Sequence, residues 1–380
     1  MKNFLKKIIR TKRNYDPLIE IHISAETLKN NLAELRKIGE EKGVAPVLKS
    51  NAYGHGLVAV AKILENEPKP FFAVDSYFEA TALRHEGIKS PILIIGYTRN
   101  ETIAGNKLNL VAFTITSLEQ LRDLSENLRR PAICHLKIDT GMNRQGVRAE
   151  ELAESVKLIK ANPRIELEGL MSHFSSASNP EQSFAKSQIE KWNQAVKFIR
   201  KEFPNLKYWH LSATGGHLFT NEIDANVTRA GIGLYGISPS EKLATKINLK
   251  PALSADSIIT GIKKVKTGEY IGYDLLYKAE KDLTVATIPF GYFEGVDKRL
   301  TNKGFVKVSS RDCPIVGRVS MNITTIDVSG IDDLKLNSSV NIVSSNPHDQ
   351  NSIQNIAKIC GASPYEILVH IPEHLKRVVI

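Results

Sequence analysis

The stretch Val44-Ala45-Pro46-Val47-Leu48-Lys49-Ser50-Asn51-Ala52-Tyr53-Gly54-His55-Gly56 governs how the rest of the chain is read. Its first part, Val44–Leu48, is an unbroken apolar run, the pattern of a parallel strand buried on both faces. The remainder is polar and rich in glycine, and Lys49 stands at the junction. A lysine at the C-terminal end of a barrel strand sits where barrel enzymes keep their chemistry. Partial desolvation there weakens its preference for charge and favours amine nucleophile chemistry such as Schiff-base formation. Taken alone, the same lysine also reads as a surface residue at a strand end.

On both sides of this stretch, from about residue 18 to 236, short apolar runs alternate with helical patterns. Leu18–Ile23 comes first, followed by an amphipathic helix through Leu28, Leu32 and Leu35. After Val44–Leu48 come Phe71–Val74, Ile92–Ile95, Leu110–Thr114, Ala132–Ile138, Leu167–Met171, Lys207–Leu211 and a short run near Asn226–Ala230. Ser76 with Glu79, and Ser117 with Gln120, match the capping box that opens a helix, and Gly87 is placed to end the helix after Ser76. Repeated βα units require parallel strands and right-handed crossovers, and eight of them predict a closed (β/α)8 barrel. An open doubly wound sheet has the same alternation, so the count alone leaves it as the alternative.

After Pro251 the character changes. Ser257–Val265, Leu283–Ile288, Phe305–Val308, Pro314–Val319 and Val340–Val343 are β-like and separated by Gly, Asp and Asn turns. The predicted fold is therefore α/β, an N-terminal (β/α)8 TIM-type barrel (16–247) followed by a mostly β C-terminal domain (248–380). Leu18–Ile23 is surplus to a barrel of eight, so it is expected to pair with that second domain.

The chain has 380 residues, enough for two to three domains at roughly 150 residues each. With 42% hydrophobic and 24% charged residues it is globular rather than disordered. Lys plus Arg exceed Asp plus Glu, 51 to 41, but six of those basic residues lie within the first 13 positions, where no acid occurs. The remainder of the chain is then too weakly basic to predict a nucleic-acid-binding body. The basic arm, 1–15, reads as a solvated extension that catalysis does not need; attachment to an anionic membrane surface is the alternative. Three scattered cysteines (Cys134, Cys313, Cys360) argue against a disulfide framework and for a reducing, cytoplasmic setting. No apolar run approaches the ~18 residues of a membrane span. No metal site is expected: Pro372 interrupts His370 and His374, and His210 and His217 have no thiolate nearby.

Beyond the opening stretch, five further ordered segments stand out. They are His135-Leu136-Lys137-Ile138-Asp139-Thr140-Gly141-Met142-Asn143-Arg144, Gly169-Leu170-Met171-Ser172-His173-Phe174, the pair Gly272-Tyr273 and Gly291-Tyr292, Gly317-Arg318-Val319-Ser320-Met321, and Pro364-Tyr365-Glu366. Together with the Lys49 string they resemble the alanine racemase family, over about Leu18 to Arg377. The resemblance implies pyridoxal 5'-phosphate as cofactor and interconversion of L- and D-alanine, supplying D-alanine for peptidoglycan. It also implies a homodimer whose site is shared between chains. Lys49 would hold the cofactor and serve one face of the substrate carbon, and Tyr273 from the partner chain the other. Racemisation needs such a pair, because a proton leaves one face and returns to the other. A tyrosine of ordinary pKa near ~10 is a poor base at neutral pH, so the site must help it, and His173 is placed to do so.

The same resemblance puts Arg229 opposite the pyridine nitrogen, with His210 behind it. A guanidinium donates hydrogen bonds but does not readily give up a proton, so the ring stays a weaker electron sink and reprotonation at carbon outruns transamination. Tyr53, Thr214, Tyr365 and the backbone N–H groups of Gly231 and Ile232 would hold the phosphate. Gly231-Ile232-Gly233-Leu234-Tyr235-Gly236 also spells a dinucleotide fingerprint, but it comes late in the alternation and Pro239 follows. Lys137 matches a lysine the family carries as a carbamate, which would orient Arg144; Arg144 and Met321 would border the substrate. Two departures from the family pattern are Ala213, where Asn is usual, and Asn322, where Asp is usual; the second is expected to change polarity near the substrate entrance. The alternatives are a serine or broad-specificity racemase, a decarboxylase of the same plan, and a non-catalytic cofactor-binding barrel. A decarboxylase would offer a glutamate to the ring nitrogen and a cysteine from the partner, and this chain has Arg229 and no matching cysteine motif.

Overall fold

The computed structural model describes residues 16–38, 42–177, 183–219 and 221–380. The basic arm lies outside the described residues. Strand β1 (Ile19–Ile23) leads into the helix Ala25–Lys37, which buries Leu28, Leu32 and Leu35 and is capped by Ser24. Eight short parallel strands follow: β2 (Gly43–Pro46), β3 (Phe72–Val74), β4 (Ile92–Ile94), β5 (Val111–Ile115), β6 (Ala132–Lys137), β7 (Ile165–Met171), β8 (Tyr208–His210) and β9 (Val227–Ala230).

Strands β3 to β8 pair in sequence order, and β2 pairs with β9. Two seams close the ring. At one, the Leu48 N–H donates to Ala73 O at 2.7 Å; at the other, the N–H groups of Asn226 and Arg229 donate to Trp209 O and Ser212 O at 3.1 and 3.0 Å. An open sheet would leave one of these edges unpaired, so the barrel is the observed solution. Its strands are almost wholly buried, as crossover helices on the outside and packed side chains within require.

The C-terminal half carries β10 (Leu253–Ile258), β11 (Gly261–Val265), β12 (Leu283–Ile288), β13 (Phe305–Val308), β14 (Arg311–Pro314), β15 (Thr324–Asp327), β16 (Ser339–Val343) and β17 (Lys376–Val379). One sheet runs β14-β13-β16-β10-β1-β17 and a second runs β11-β12-β15. Strand β1 therefore leaves the barrel, running antiparallel to β10 and parallel to β17. The predicted run Ser257–Val265 is two strands, broken at Ile259 and Thr260, whose N–H groups turn to Ser338 O and Thr287 O. Pro314–Val319 is not a strand beyond Pro314; it makes a single bridge, Ile315 to Ile326.

Two helices in this half, Ile353–Cys360 and Pro364–Val369, position the site. The second starts with Ser363 capping the Glu366 N–H and Pro364 in the first turn, and it brings Tyr365 to the barrel mouth. Gly54 makes the contact: its φ is +80°, and a Cβ there would lie 2.1 Å from Leu368 O. The Arg377 guanidinium locks the same junction, donating to Gly54 O from Nε at 3.1 Å and Nη2 at 2.8 Å.

Candidate active site

The C-terminal ends of the barrel strands open into a cavity of about 880 Å³. Lys49, Lys137, Arg144 and Arg229 line it, with Asp75 as the facing carboxylate. Four cations against one acid make a site for anionic ligands.

Lys49 lies three residues beyond the end of β2, its Nζ 3.9 Å from Asp75 Oδ1. The four residues after it, Ser50 to Tyr53, all have φ between 51° and 56°, a left-handed turn. Such backbone is costly for residues with a Cβ, roughly 1–2 kcal/mol each, and must be held in place. Glu79 holds its start: Oε1 accepts from the Ser50 N–H and Oε2 from the Asp75 N–H, both at 2.7 Å. Asn51 holds its end, Oδ1 accepting from the Leu57 N–H at 2.8 Å. The capping pattern at Ser76 thus has an added task. Ser76 Oγ does accept from the Glu79 N–H, but the Glu79 carboxylate reaches across to the lysine turn.

The turn delivers Tyr53 into the cavity wall, where its hydroxyl approaches Gly231; a Cβ on Gly231 would lie 2.8 Å from it. Thr214 Oγ1 accepts from the N–H groups of Gly231 and Gly233 at 3.2 and 3.3 Å. Tyr365 stands 5.9 Å from the Tyr53 ring, centroid to centroid. Hydroxyls and glycine N–H groups therefore converge on one corner, with Ile232 beside them. Burial drives the Tyr53 phenol well above its usual value, so it acts as a neutral donor.

Arg229, on β9, is buried at the cavity floor. It donates to three carbonyl oxygens: His210 O at 2.9 Å, Ser172 O at 2.6 Å and Leu211 O at 3.1 Å. The same two nitrogens also meet imidazoles, Nη1 on His210 Nδ1 and Nη2 on His173 Nδ1 at 3.1 Å, so the N–H groups of Nη2 are shared among three acceptors. Burial lowers its pKa to about 10, which still leaves it charged at neutral pH. His173, also in the cavity wall, is lowered to about 3, by burial first and then by Arg229 and the neighbouring cations. It is neutral, and since Nδ1 accepts from Arg229, its proton is on Nε2.

Lys137 is buried and donates to Gln145 Oε1 at 2.8 Å. Burial, then the charges of Arg144, Arg229 and Lys49, lower it to about 8, against the opposing pull of Asp139. Its amine thus stays mostly charged at neutrality but loses its proton far more readily than an ordinary lysine. His210 lies behind Arg229, fully buried, and does not line the cavity.

Tyr273 and Met321 lie apart from this cavity and are 67% and 55% exposed. Tyr273 follows Gly272 (φ 78°) in a turn that an Arg318–Asp274 ion pair fastens. The Asn322 side chain does not border the cavity; its Nδ2 donates to Glu294 Oε1 at 2.6 Å, while Oε2 of the same carboxylate accepts from the Gly291 N–H. The amide at 322 is thus held by Glu294 within its own chain. Asn322→Asp would set two carboxylates together and is expected to destabilise the fold by about 1–3 kcal/mol at neutral pH. In that variant the folded pair binds a proton more tightly than the unfolded chain, so the loss is present above the ordinary carboxylate range and shrinks as pH falls toward ~4. Denaturant unfolding at two pH values measures it; equal losses at both would contradict the pairing.

Sequence reasoning did not single out Asp75, Gln145 or the cross-strand reach of Glu79. Asp75 and Glu79 reach Lys49 and Ser50 from beyond the end of the neighbouring strand, Gln145 meets Lys137 from eight residues on, and only the Ser76–Glu79 spacing left a local trace.

A lysine, a cationic floor and a glycine-lined corner at the mouth of a (β/α)8 barrel define a barrel enzyme that handles small anionic molecules. The comparisons with known proteins are specific. The family model described as alanine racemase, N-terminal domain, matches residues 23–239, and that described as alanine racemase, C-terminal domain, matches 252–379. The chain belongs to the alanine racemase family. It is 32% identical to alanine racemase 1 of Caldanaerobacter subterraneus subsp. tengcongensis over 365 residues, covering 95% of this chain and 94% of that one. A structure of alanine racemase from Clostridium difficile 630 superposes with a TM-score of 0.89 at 30% identity, over 97% of each chain. One from Bacillus anthracis with bound L-Ala-P gives 0.88 at 29% identity, over 96% of each.

Proposed function

We propose that this chain is a pyridoxal-phosphate-dependent isomerase that interconverts L- and D-alanine, with Lys49 and Tyr273 as its two acid–base groups. The observation that carries the reading is the single cavity gathering Lys49, Lys137, Arg144, His173 and Arg229 beside the Tyr53–Thr214–Gly231 corner. That corner fits a phosphate: a Cβ on Gly231 would fill it, and hydroxyl and N–H donors surround it. Tyr365 and Ile232 belong to the same cradle. When bound, the cofactor supplies an electron-withdrawing ring conjugated to the substrate nitrogen, which acidifies the α-carbon.

The protein's part is positioning and proton transfer. Lys49 would hold the cofactor through its amine and move the α-proton on one face. Tyr273 serves the opposite face from a second copy of the chain, since it stands outside its own cavity, exposed at a turn whose next two residues, Asp274 and Leu275, have positive φ. Met321 of that second copy closes the mouth. Division into a barrel unit, 16–247, and a β unit, 248–380, goes with this arrangement, because each contributes one acid–base group. The His173 Nε2–H donates to the phenolate form of Tyr273 and so favours it. Arg229 presents donors to the ring nitrogen without surrendering a proton, His210 supporting it from behind.

Lys137 is set up for carbamylation. An amine lowered to about 8 among three cations is nucleophilic toward carbon dioxide, and the resulting anion neutralises its surroundings and orients Arg144 on the substrate carboxylate. The three cysteines are buried and unpaired, in keeping with a cytoplasmic site of action. Among the described residues no helix is long and apolar enough to cross a membrane.

The test is enantiomer exchange with purified protein, comparing kcat/KM for alanine, serine, lysine and arginine. Alanine is expected to lead, with serine roughly 10²-fold lower, since Tyr365 and the second copy's Met321 would leave room for a methyl or hydroxymethyl group and such a space rejects an added hydroxyl only weakly. A preference for the long cationic side chains, or no exchange with alanine in protein that has taken up the cofactor, would overturn the reading.

A further inference from the structure

The Arg229–His210 contact is one end of a longer chain of hydrogen bonds that crosses the barrel. His210 Nε2 lies 3.0 Å from His135 Nδ1, and His135 Nε2 lies 3.3 Å from Glu168 Oε2. Glu168 Oε1 in turn meets Lys207 Nζ at 3.2 Å. Glu168 is midway along β7 and does not line the cavity that holds Lys49. It borders instead a separate small void of about 60 Å³ with His135, Lys207 and Phe71.

The direction of every bond in this chain is forced. Arg229 has donors only, so His210 Nδ1 must accept, and neutral His210 must carry its proton on Nε2. That proton faces His135 Nδ1, which must accept, leaving the His135 proton on Nε2. Only an acceptor can then stand at position 168. Both imidazoles are fully buried, and burial lowers both below the usual histidine range, so they are neutral links rather than cations. At Glu168, burial raises the carboxyl, but the His135 hydrogen bond and the charge of Lys207 outweigh it and the group is held ionised.

Two features of the backbone make room for the chain. A Cβ on Gly169 would lie 2.7 Å from His135 Cε1 and Nδ1, so glycine leaves the space the ring occupies. The β6–β7 ladder also slips register between Cys134 and His135, where the ring turns inward. Phe71 packs against both imidazoles, at 5.7 and 5.5 Å between ring centroids, and keeps the links dry.

We propose that Glu168 is a positioning residue for Arg229, fixing through His135 and His210 the tautomers that hold the guanidinium at the cavity floor. Its consequence for catalysis rests on the racemase reading above; the tautomers do not. Without an acceptor at 168 the His135 Nε2–H is stranded. Moving that proton to Nδ1 opposes two donors at His210, and correcting His210 opposes two donors at Arg229. The strain therefore arrives at the residue that faces the cofactor ring, and the carboxylate's charge is lost from a buried chain in which hydrogen bonds reinforce one another.

The experiment uses cofactor-loaded protein with 15N-labelled histidine imidazoles. Two-bond 1H–15N correlations report the tautomer of each ring, in the wild type and in Glu168→Gln and Glu168→Leu. The wild type is expected to show Nε2–H on both His135 and His210, and Nδ1–H on either would overturn the proposal without recourse to a variant. Glu168→Leu is expected to disturb both tautomers, shift the cofactor's visible absorption band and lower kcat about tenfold with KM little changed, the lower end of what outer partners of a ligating histidine cost. Glu168→Gln, whose carbonyl can still accept, is expected to keep the wild-type tautomers and most of kcat. Unaltered tautomers and band in Glu168→Leu, or equal losses in both variants that track thermal stability alone, would overturn it. A wild type inactive on alanine yet with the expected tautomers would count against the racemase reading and leave the hydrogen-bond chain standing.

Discussion

Mixing a Lys49→Ala chain with a Tyr273→Ala chain, each inactive alone, is expected to restore racemase activity. Each variant removes one of two acid–base groups and should lose at least ~10³-fold in kcat. Tyr273 is 67% exposed and lies outside the cavity of its own chain, so under the proposed function the two groups would meet between copies. In a two-fold symmetric dimer, half of randomly reassorted pairs are hybrids, and each hybrid has one site with both residues intact, so about a quarter of sites recover. Enantiomer exchange after mixing, with hybrid formation verified by differently tagged chains, gives the result. Hybrids that form and stay inactive would place both groups in one chain and remove the case for a shared site.

The barrel was legible because its strands are buried on both faces. Each of the eight predicted runs from Val44–Leu48 to Asn226–Ala230 lies on an observed strand, displaced by at most two residues at either end. The tail was legible only where one face alternates, as in β12 and β13. Strand β17, Lys376–Val379, is half charged and lies at a sheet edge, so it carries no apolar signal. The helices Ile353–Cys360 and Pro364–Val369 are six to eight residues long, too short for a periodic pattern to separate from turns, although Ser352 and Ser363 mark their starts. In the site, the expected residues that line the cavity fall in compact strings at strand ends and could be read locally. Residues that hold those strings, such as Glu79 on the Ser50 turn and Glu168 on His135, act across gaps of 29 and 33 residues. No local pattern reports such a pairing. Asn322, read as a change of polarity near the substrate entrance, likewise has a partner that no local pattern reports, Glu294, in the same unit.

Arg229→Leu is expected to cost about 4 kcal/mol or more of folding stability, apart from any effect on catalysis. The guanidinium donates to three buried carbonyls, Ser172 O, His210 O and Leu211 O, besides two imidazole nitrogens; of the carbonyls, His210 O also accepts the Ser172 N–H, so Ser172 O and Leu211 O are the two that lose their donor. A buried acceptor left without a donor loses roughly 1–3 kcal/mol, and leucine supplies none. The loss falls on two segments at once, because these carbonyls lie just beyond the ends of β7 and β8. Arg229→Lys keeps the charge but offers three donors from one nitrogen, in place of five spread over a planar fork. It cannot reach both imidazoles and all three carbonyls, so an intermediate loss is expected. Denaturant unfolding of the cofactor-free protein separates this from ligand binding, which would otherwise add its own stabilisation. Wild-type stability in Arg229→Leu would mean that water replaces the guanidinium without penalty, and Arg229 would then be a residue for the ligand alone. The expected ordering, wild type above lysine above leucine, makes one side chain both a support of the barrel mouth and its floor. A residue with both duties cannot be exchanged to alter the chemistry without loosening the strands that aim it.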